Sequence, residues 1–284
     1  VCLSIEVALT FDDLPGVDAP IISNILTTLR KHQLQGIYGF TNGLTLQLDP
    51  SHLSMLHDWI AAGQFLANHT FSHLHLSQVT SSAYMDDIRR NDFLLAILSA
   101  SPRKYFRYPF LDEGDSHEKR DTIRQFLLAE DYQIVPVTIP IEEYRWNATF
   151  IDCLLNNNLE GLQILKSNLV KHALAMLEIA SEYAQLLYGK NVKHILLLHQ
   201  TMFNAYILDD ILQAYKNAGV KFISLTEALS EDIYQANPGV LGVEYFGFLG
   251  QLRAAHKLSP SAKIRSATTD FMHRYTDRYC SFKG

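Results

Sequence analysis

Cysteine is scarce in this 284-residue chain. Cys2, Cys153 and Cys280 are the full complement, and their spacing matches no metal motif. Thiolate metal ligation is therefore excluded. Two readings stay open for them: three free thiols, or a Cys2–Cys280 bridge joining two termini, which would mark an oxidising compartment. Long apolar runs are also missing; none reaches the ~18 residues of a membrane span. No basic patch stands out and the net charge is −6 with His neutral, which argues against nucleic-acid binding. Repeats and low-complexity tracts are absent. The opening VCLSIEVALTF lacks the basic leading region of an export signal and reads as a strand.

What remains is an apolar, sparsely charged chain, 48% hydrophobic and 19% charged, with enough material for a sizeable core. The length suits one large α/β domain or two small ones. Apolar strands read at 6–11, 36–40, 64–69, 104–110, 194–199 and 220–225, with an extended run at 132–139. Helical periodicity reads at 21–32, 51–63, 86–100, 118–131, 159–189 and 205–219. Ser51 and Gly63 are expected to bound the second of these helices. This alternation predicts helices wrapped around a mainly parallel sheet or barrel. Beyond residue 230 the pattern weakens into a Gly- and Pro-containing loop, a short helix after 251 and a tail.

Reactive side chains gather at the C-terminal ends of the expected strands. Asp12 and Asp13 follow VALTF, His69 follows QFLAN, Arg107 sits in FRYPF and His199 ends HILLLH. That edge is where α/β folds build their sites. Asp13, His69 and His73 offer one carboxylate and two imidazoles, a set that leaves coordination positions for water and substrate. His69 and His73 are four apart and share a face if helical. Thr70 and Ser72 are candidate hydrogen-bond supports for them. Taken alone, the pair is equally met as polar residues satisfying backbone at a helix start, and Asp-Asp before Leu-Pro-Gly as turn chemistry. In an extended segment the Asp12 and Asp13 side chains diverge, so one can ligate while the other serves as a base. His199 has the pKa range of a proton donor near neutrality, or of a hydrogen-bonded core residue.

In order along the chain, TFDD (10–13), HTFSH (69–73), RYPF (107–110) and LLLH (196–199) resemble four motifs of the polysaccharide deacetylases, the NodB-homology enzymes of carbohydrate esterase family 4. The resemblance covers residues 5–229. It implies a single catalytic domain over 1–284: a distorted, incomplete (β/α) barrel with a helical insert at 159–189 and an extension at 230–284. It implies one divalent ion, usually zinc, held by Asp13, His69 and His73. It makes Asp12 the base, Arg107 its partner and His199 the acid. It assigns the Phe110 backbone N–H to the oxyanion, Pro109 to shaping the groove, and Leu196 and Leu198 to the acetyl pocket.

One motif departs. Where the family shows Asp-x-x-Asp-Trp, this chain has PIEEY (140–144) and then RWN. Pro140 and Glu143 replace the aspartates and Tyr144 the tryptophan. Glu143 is expected to orient His199, and Tyr144 or Trp146 to wall the groove. The function implied is deacetylation of N-acetylated glycans of the chitin or peptidoglycan type. The alternatives are an O-acetyl xylan esterase, an allantoinase-like cyclic amidase, and a non-catalytic sugar-binding relative. The expected partner is an acetylated glycan, and export is expected by resemblance.

Overall fold

The computed structural model describes residues 5–16, 18–98, 101–241 and 247–260. The first half runs β1 (Glu6–Leu14), α1 (Ala19–Lys31), β2 (Tyr38–Thr41), α2 (Leu44–Leu48), α3 (Leu53–Ala61), β3 (Phe65–Asn68), α4 (Ser81–Leu98), β4 (Tyr105–Phe106) and α5 (His117–Ala129). The second runs β5 (Gln133–Ile134), β6 (Ile139–Pro140), α6 (Asn147–Leu155), α7 (Leu159–Tyr188), β7 (His194–His199), α8 (Met202–Asn217), β8 (Lys221–Ile223), α9 (Leu225–Ala228) and α10 (Gly247–Ala255). Every strand pairing is parallel.

The sheet order is β5-β4-β3-β2-β1-β7-β6, with β8 alongside the start of β1. β5 and β6 stand at opposite ends of that order, yet only four residues separate Ile134 from Ile139. An extended chain of that length spans at most about 17 Å. The sheet therefore curls until its edges nearly meet without pairing. That is a distorted, incomplete (β/α) barrel. The run at 132–139, expected to be one extended stretch, is split to serve both edges.

β1 is the axis of the fold. Val7, Leu9 and Phe11 on it are fully buried, as are Ile195, Leu196 and Leu198 on its neighbour β7. Such continuous apolar strands are what a parallel sheet covered by helices requires. α1 turns Ile22, Ile25 and Leu29 inward and leaves its polar residues outside. α7 buries Leu165, Leu169, Ala173, Leu177 and Ala184 in the main core, which makes the 159–189 stretch a packed helix. A second apolar cluster, with Tyr84, Ile88, Phe106, Ile123 and Leu127, seats α4 and α5 against β4.

Local details differ from the sequence reading. Asp49, not Ser51, caps the turn ahead of α3, its carboxylate accepting from the Ser51 N–H. α4 begins at Ser81, and α10, the last helix among the described residues, at Gly247 rather than after 251. Cys153 is buried and disulfide-bonded, so it is not a free thiol. Cys2 and Cys280, and the tail after 260, lie outside the described residues. Among the described residues no helix is long and apolar enough to cross a membrane.

Candidate metal centre and active site

The site grows from the end of β1. Register with β2 pairs Phe11 with Gly39 and Leu14 with Thr41, so three steps on β1 match two on β2. The extra residue is a bulge at the aspartates, and Asp13 adopts a left-handed backbone (φ 64°). Alternation of a regular strand would send the two carboxylates to opposite faces. The bulge re-aims Asp13 instead. Asp12 Oδ2 and Asp13 Oδ1 both lie 3.6 Å from His69 Nε2. The expected divergence of the pair is corrected: they flank one imidazole, and their partners tell them apart.

Asp12 is bound to Arg107. The Arg107 Nη1 donates to Asp12 Oδ1 at 2.7 Å and to Thr10 Oγ1 at 2.9 Å, while Nε donates to the Val135 carbonyl at 3.2 Å. Its guanidinium lies over the Phe40 ring, 4.1 Å from the centroid. Both charges are buried. Asp13 faces His73 instead, with Oδ1 3.1 Å from Nε2. Burial opposes its charge. The His73 hydrogen bond and the nearby His199 and His69 overcome that and hold the carboxyl far below its ordinary range.

The histidine pair is not helical. It sits on a loop after β3 where Thr70 (φ 58°) and His73 (φ 54°) are left-handed. Convergence comes from those two turns, not from a helix face. Thr70 and Ser72 do not support the imidazoles either. Both the N–H and Oγ of Ser72 donate to Asp87 of α4 at 2.8 Å, and the Thr70 N–H donates to Asn68. Asn42 donates to the carbonyls of His69 and Thr70, and Asn91 to Asn68 Oδ1 and the Thr41 carbonyl. Asn42, Asn68, Asp87 and Asn91 thus hold the loop. Sequence reading missed them because their spacing along the chain carries no signal.

The His69 ring is fixed by its other nitrogen. Nδ1 lies 2.8 Å from the Arg107 carbonyl, which can only accept, so Nδ1 carries the proton. Nε2 then presents a lone pair to the carboxylates. Burial pushes this imidazole below its ordinary pKa against the pull of Asp12 and Asp13, favouring the neutral ligating form.

His199 is the register partner of Asp12 across β1 and β7. Glu143, completely buried, lies between strand and loop: its Oε1 is 3.2 Å from His199 Nδ1 and also accepts the His199 backbone N–H. Asn204 donates to the His199 carbonyl at 2.6 Å. Burial alone would depress this imidazole. The Glu143 carboxylate outweighs it, helped by Asp13 and Asp12, and the pKa is pushed up to about 9.

These residues open onto a cleft of about 760 Å³. Asp12, Asp13, His69, His73, Phe110, Tyr144 and His199 line it, with Pro140, Glu142 and Leu197. Pro109 is buried at the start of the turn that presents Phe110. Tyr144 lies edge-on to His199, ring centroids 4.6 Å apart. Trp146 does not wall the groove; it is buried in the core near His172. Leu196 and Leu198 are corrected as well. With His199 facing the cleft, pleat alternation turns Leu197 toward it and Leu196 and Leu198 away, into the helix-covered core.

The donor set fits a metal ion. Asp13, His69 and His73 place one ligand atom each within 4.8 Å of one another. Tetrahedral ligands at roughly 2.0–2.1 Å from zinc stand about 3.4 Å apart. The observed 3.6 and 3.1 Å from Asp13 Oδ1 to the two imidazoles bracket that value.

The curled parallel sheet thus carries carboxylates and imidazoles together at its C-terminal edge. Residues 4–126 match the model of the polysaccharide deacetylase family. The chain is 27% identical over 152 residues to a peptidoglycan-N-acetylglucosamine deacetylase of Bacillus cereus, which covers 54% of this chain and 50% of the relative. It thus spans about half the length of that curated relative. Among solved structures it resembles the Xyl-CE4 domain of a multidomain xylanase from the hindgut metagenome of Trinervitermes trinervoides, with 20% identity and TM-score 0.57 over 87% of this chain and all of the other. It also resembles a carbohydrate esterase family 4 pseudoenzyme from Bacillus anthracis, with 17% identity and TM-score 0.56 over 80% of this chain and 66% of that one. At those identities the structures attest the fold.

Proposed function

We propose that this chain hydrolyses the acetamide of N-acetylated glycans of the chitin or peptidoglycan type, releasing acetate and a free amino sugar. The observation that carries the reading is the register pairing of Asp12 with His199 beside the Asp13, His69 and His73 donors. Register partners on adjacent strands lie about 5 Å apart at the backbone, which supports two proton handlers working across one reacting centre. Asp13 Oδ1, His69 Nε2 and His73 Nε2 would hold a single divalent ion, and two imidazoles with a carboxylate suit zinc. When bound, such an ion polarises the acetyl carbonyl and acidifies water.

The chain's own residues do the rest. Asp12, oriented by Arg107, accepts the proton of the attacking water at its Oδ2. His199, cationic at neutral pH because of Glu143, donates to the leaving nitrogen as the C–N bond breaks. An amide requires that donor, since an amide anion leaves poorly. The Phe110 backbone N–H faces the developing oxyanion, and a donor of that kind is worth about 3 kcal/mol. Leu197 and Tyr144 enclose the acetyl group and sugar. Glu143 takes the orienting role despite its extra methylene. Action on cell-wall glycans further implies export.

The test is acetate release from N-acetylglucosamine oligomers, peptidoglycan, acetylated xylan and a cyclic amide, after chelation and with zinc restored. Zinc-dependent release from the first two supports the reading. Release from xylan alone would make the chain an O-deacetylase, and release from none a binding relative.

A further inference from the structure

The turn that carries Phe110 is strained. Phe110 (φ 57°) and Leu111 (φ 55°) are consecutive non-glycine residues in the left-handed region, where Cβ crowds the following carbonyl oxygen. Such a conformation persists only where its surroundings over-determine it. Backbone bonds supply part of the hold: the Leu111 N–H donates to the Tyr108 carbonyl and the Asp112 N–H to the Pro109 carbonyl, both at 3.0 Å. The Phe110 N–H, in the first turn, has no acceptor within it. Nearly half exposed, the Phe110 ring gains little from burial.

The remaining hold comes from His75. Its ring stacks on Phe110 with centroids 3.5 Å apart and planes within 6° of parallel. The His73 ring also meets Phe110, tilted, with centroids 4.4 Å apart. Asp112 fixes His75 in turn: its Oδ2 lies 3.4 Å from His75 Nδ1 and accepts from the N–H and Oγ of Ser77 at 3.0 and 2.6 Å. Asp112 Oδ1 accepts the Gly114 N–H at 2.9 Å. His75 is thus held at its edge by a buried carboxylate and presses its face on Phe110, which lines the cleft together with Leu111.

We propose that His75 is a positioning residue: by stacking on Phe110 it holds the left-handed Phe110–Leu111 turn in register with the metal ligand loop and so sets the direction of the Phe110 N–H. The role rests on the deacetylase reading for its catalytic consequence, but not for its structural one. His75→Ala removes the stack, and His75→Phe keeps the stack without the Asp112 link.

Two measurements decide it. In hydrogen exchange, His75→Ala should speed the Leu111 and Asp112 amides at least tenfold, and His75→Phe should leave them within threefold of the natural chain. In acetate release, His75→Ala should lower kcat roughly 10–100-fold, the scale of a misdirected oxyanion donor. KM and zinc content should change less than twofold, and His75→Phe should recover most of kcat. Unchanged exchange in His75→Ala, or equal damage in both variants, would overturn the proposal. A raised KM with unchanged kcat would also overturn it, since His75 would then be a sugar contact. Should His75→Ala fold poorly, His75→Leu tests the same loss of a flat ring. A natural chain that releases no acetate would sink the deacetylase reading alone, with exchange still deciding the positioning role.

Discussion

Glu143 Oε1 accepts both the backbone N–H and the ring Nδ1–H of His199. One buried carboxylate thereby fixes the position of the residue and the protonation of its ring. Nε2, the proposed proton donor, is left free of Glu143 on a ring that lines the cleft. Two opposed effects act on the ring, and their signs make the pair testable.

Burial drives His199 toward neutrality and Glu143 drives it toward the cation; Glu143 prevails, with a pKa of about 9. Removing the charge with Glu143→Gln leaves burial dominant and should bring the pKa below the ordinary 6.5. A folded-state pKa above the unfolded value stabilises the protein fully below pH 6.5 and is lost as pH rises through about 9. The shift is worth on the order of 3 kcal/mol. Urea unfolding of metal-free protein at pH 6, 7.5 and 10 should show that loss in the natural chain. The loss should nearly vanish in Glu143→Gln. A natural chain equally stable across this window would refute the cationic His199.

How much of this was visible beforehand differs by residue. Asp12, Asp13, His69, Arg107 and His199 could be picked out because each ends an apolar run, and parallel strands deliver their ends to one edge. The curled sheet followed from the same alternation. Glu143 was readable only through resemblance, its neighbours having no periodicity. Leu196 and Leu198 were assigned to the acetyl pocket through resemblance; three consecutive leucines give no parity, and only the direction of His199 turns Leu197 to the cleft instead. The β1 bulge was invisible, since nothing in DDLPG distinguishes a re-aimed Asp13 from an ordinary turn. Asp87 lies fifteen residues from Ser72 on another element, a relation only packing can make.

Arg107 and Asp12 form a buried ion pair, and such pairs are most costly when half-removed. Arg107→Met strands the Asp12 carboxylate beside His69 and should cost about 3–5 kcal/mol in chemical unfolding. Adding Asp12→Asn removes the stranded charge and should recover a large part of that loss. Both variants should lose at least 100-fold in acetate release, the single one because Asp12 is no longer held by Arg107, the double one because the proposed base is gone. Simple additivity of the two stability losses would mean the pair is not coupled.

Asp87 accepts twice from Ser72 and so ties the histidine loop to α4. Asp87→Ala should destabilise the fold by about 2 kcal/mol, the scale of hydrogen bonds to a charged acceptor. It should also weaken zinc binding 10–100-fold without touching a ligand, as loss of an outer support does. Competition with a chromogenic chelator measures the second effect. An unchanged zinc affinity would show that the Asn42, Asn68 and Asn91 contacts suffice to hold the loop.

Zinc itself should stabilise the fold, because Asp13, His69 and His73 come together only when β1 and the loop after β3 are in place. Free metal at a hundred times its dissociation constant contributes about 2.7 kcal/mol. For a chain of this size that is a rise of roughly 5–10 °C in Tm. Asp13→Ala and His73→Ala should each abolish most of the rise. His199→Ala should keep it while losing turnover, since His199 lies outside the donor set. Because burial holds the His69 pKa below its ordinary value, that ligand stays unprotonated further into acid than a free imidazole. Scanning calorimetry with and without zinc on these variants separates metal holding from proton transfer. A Tm rise that survives Asp13→Ala and His73→Ala alike would place the ion elsewhere.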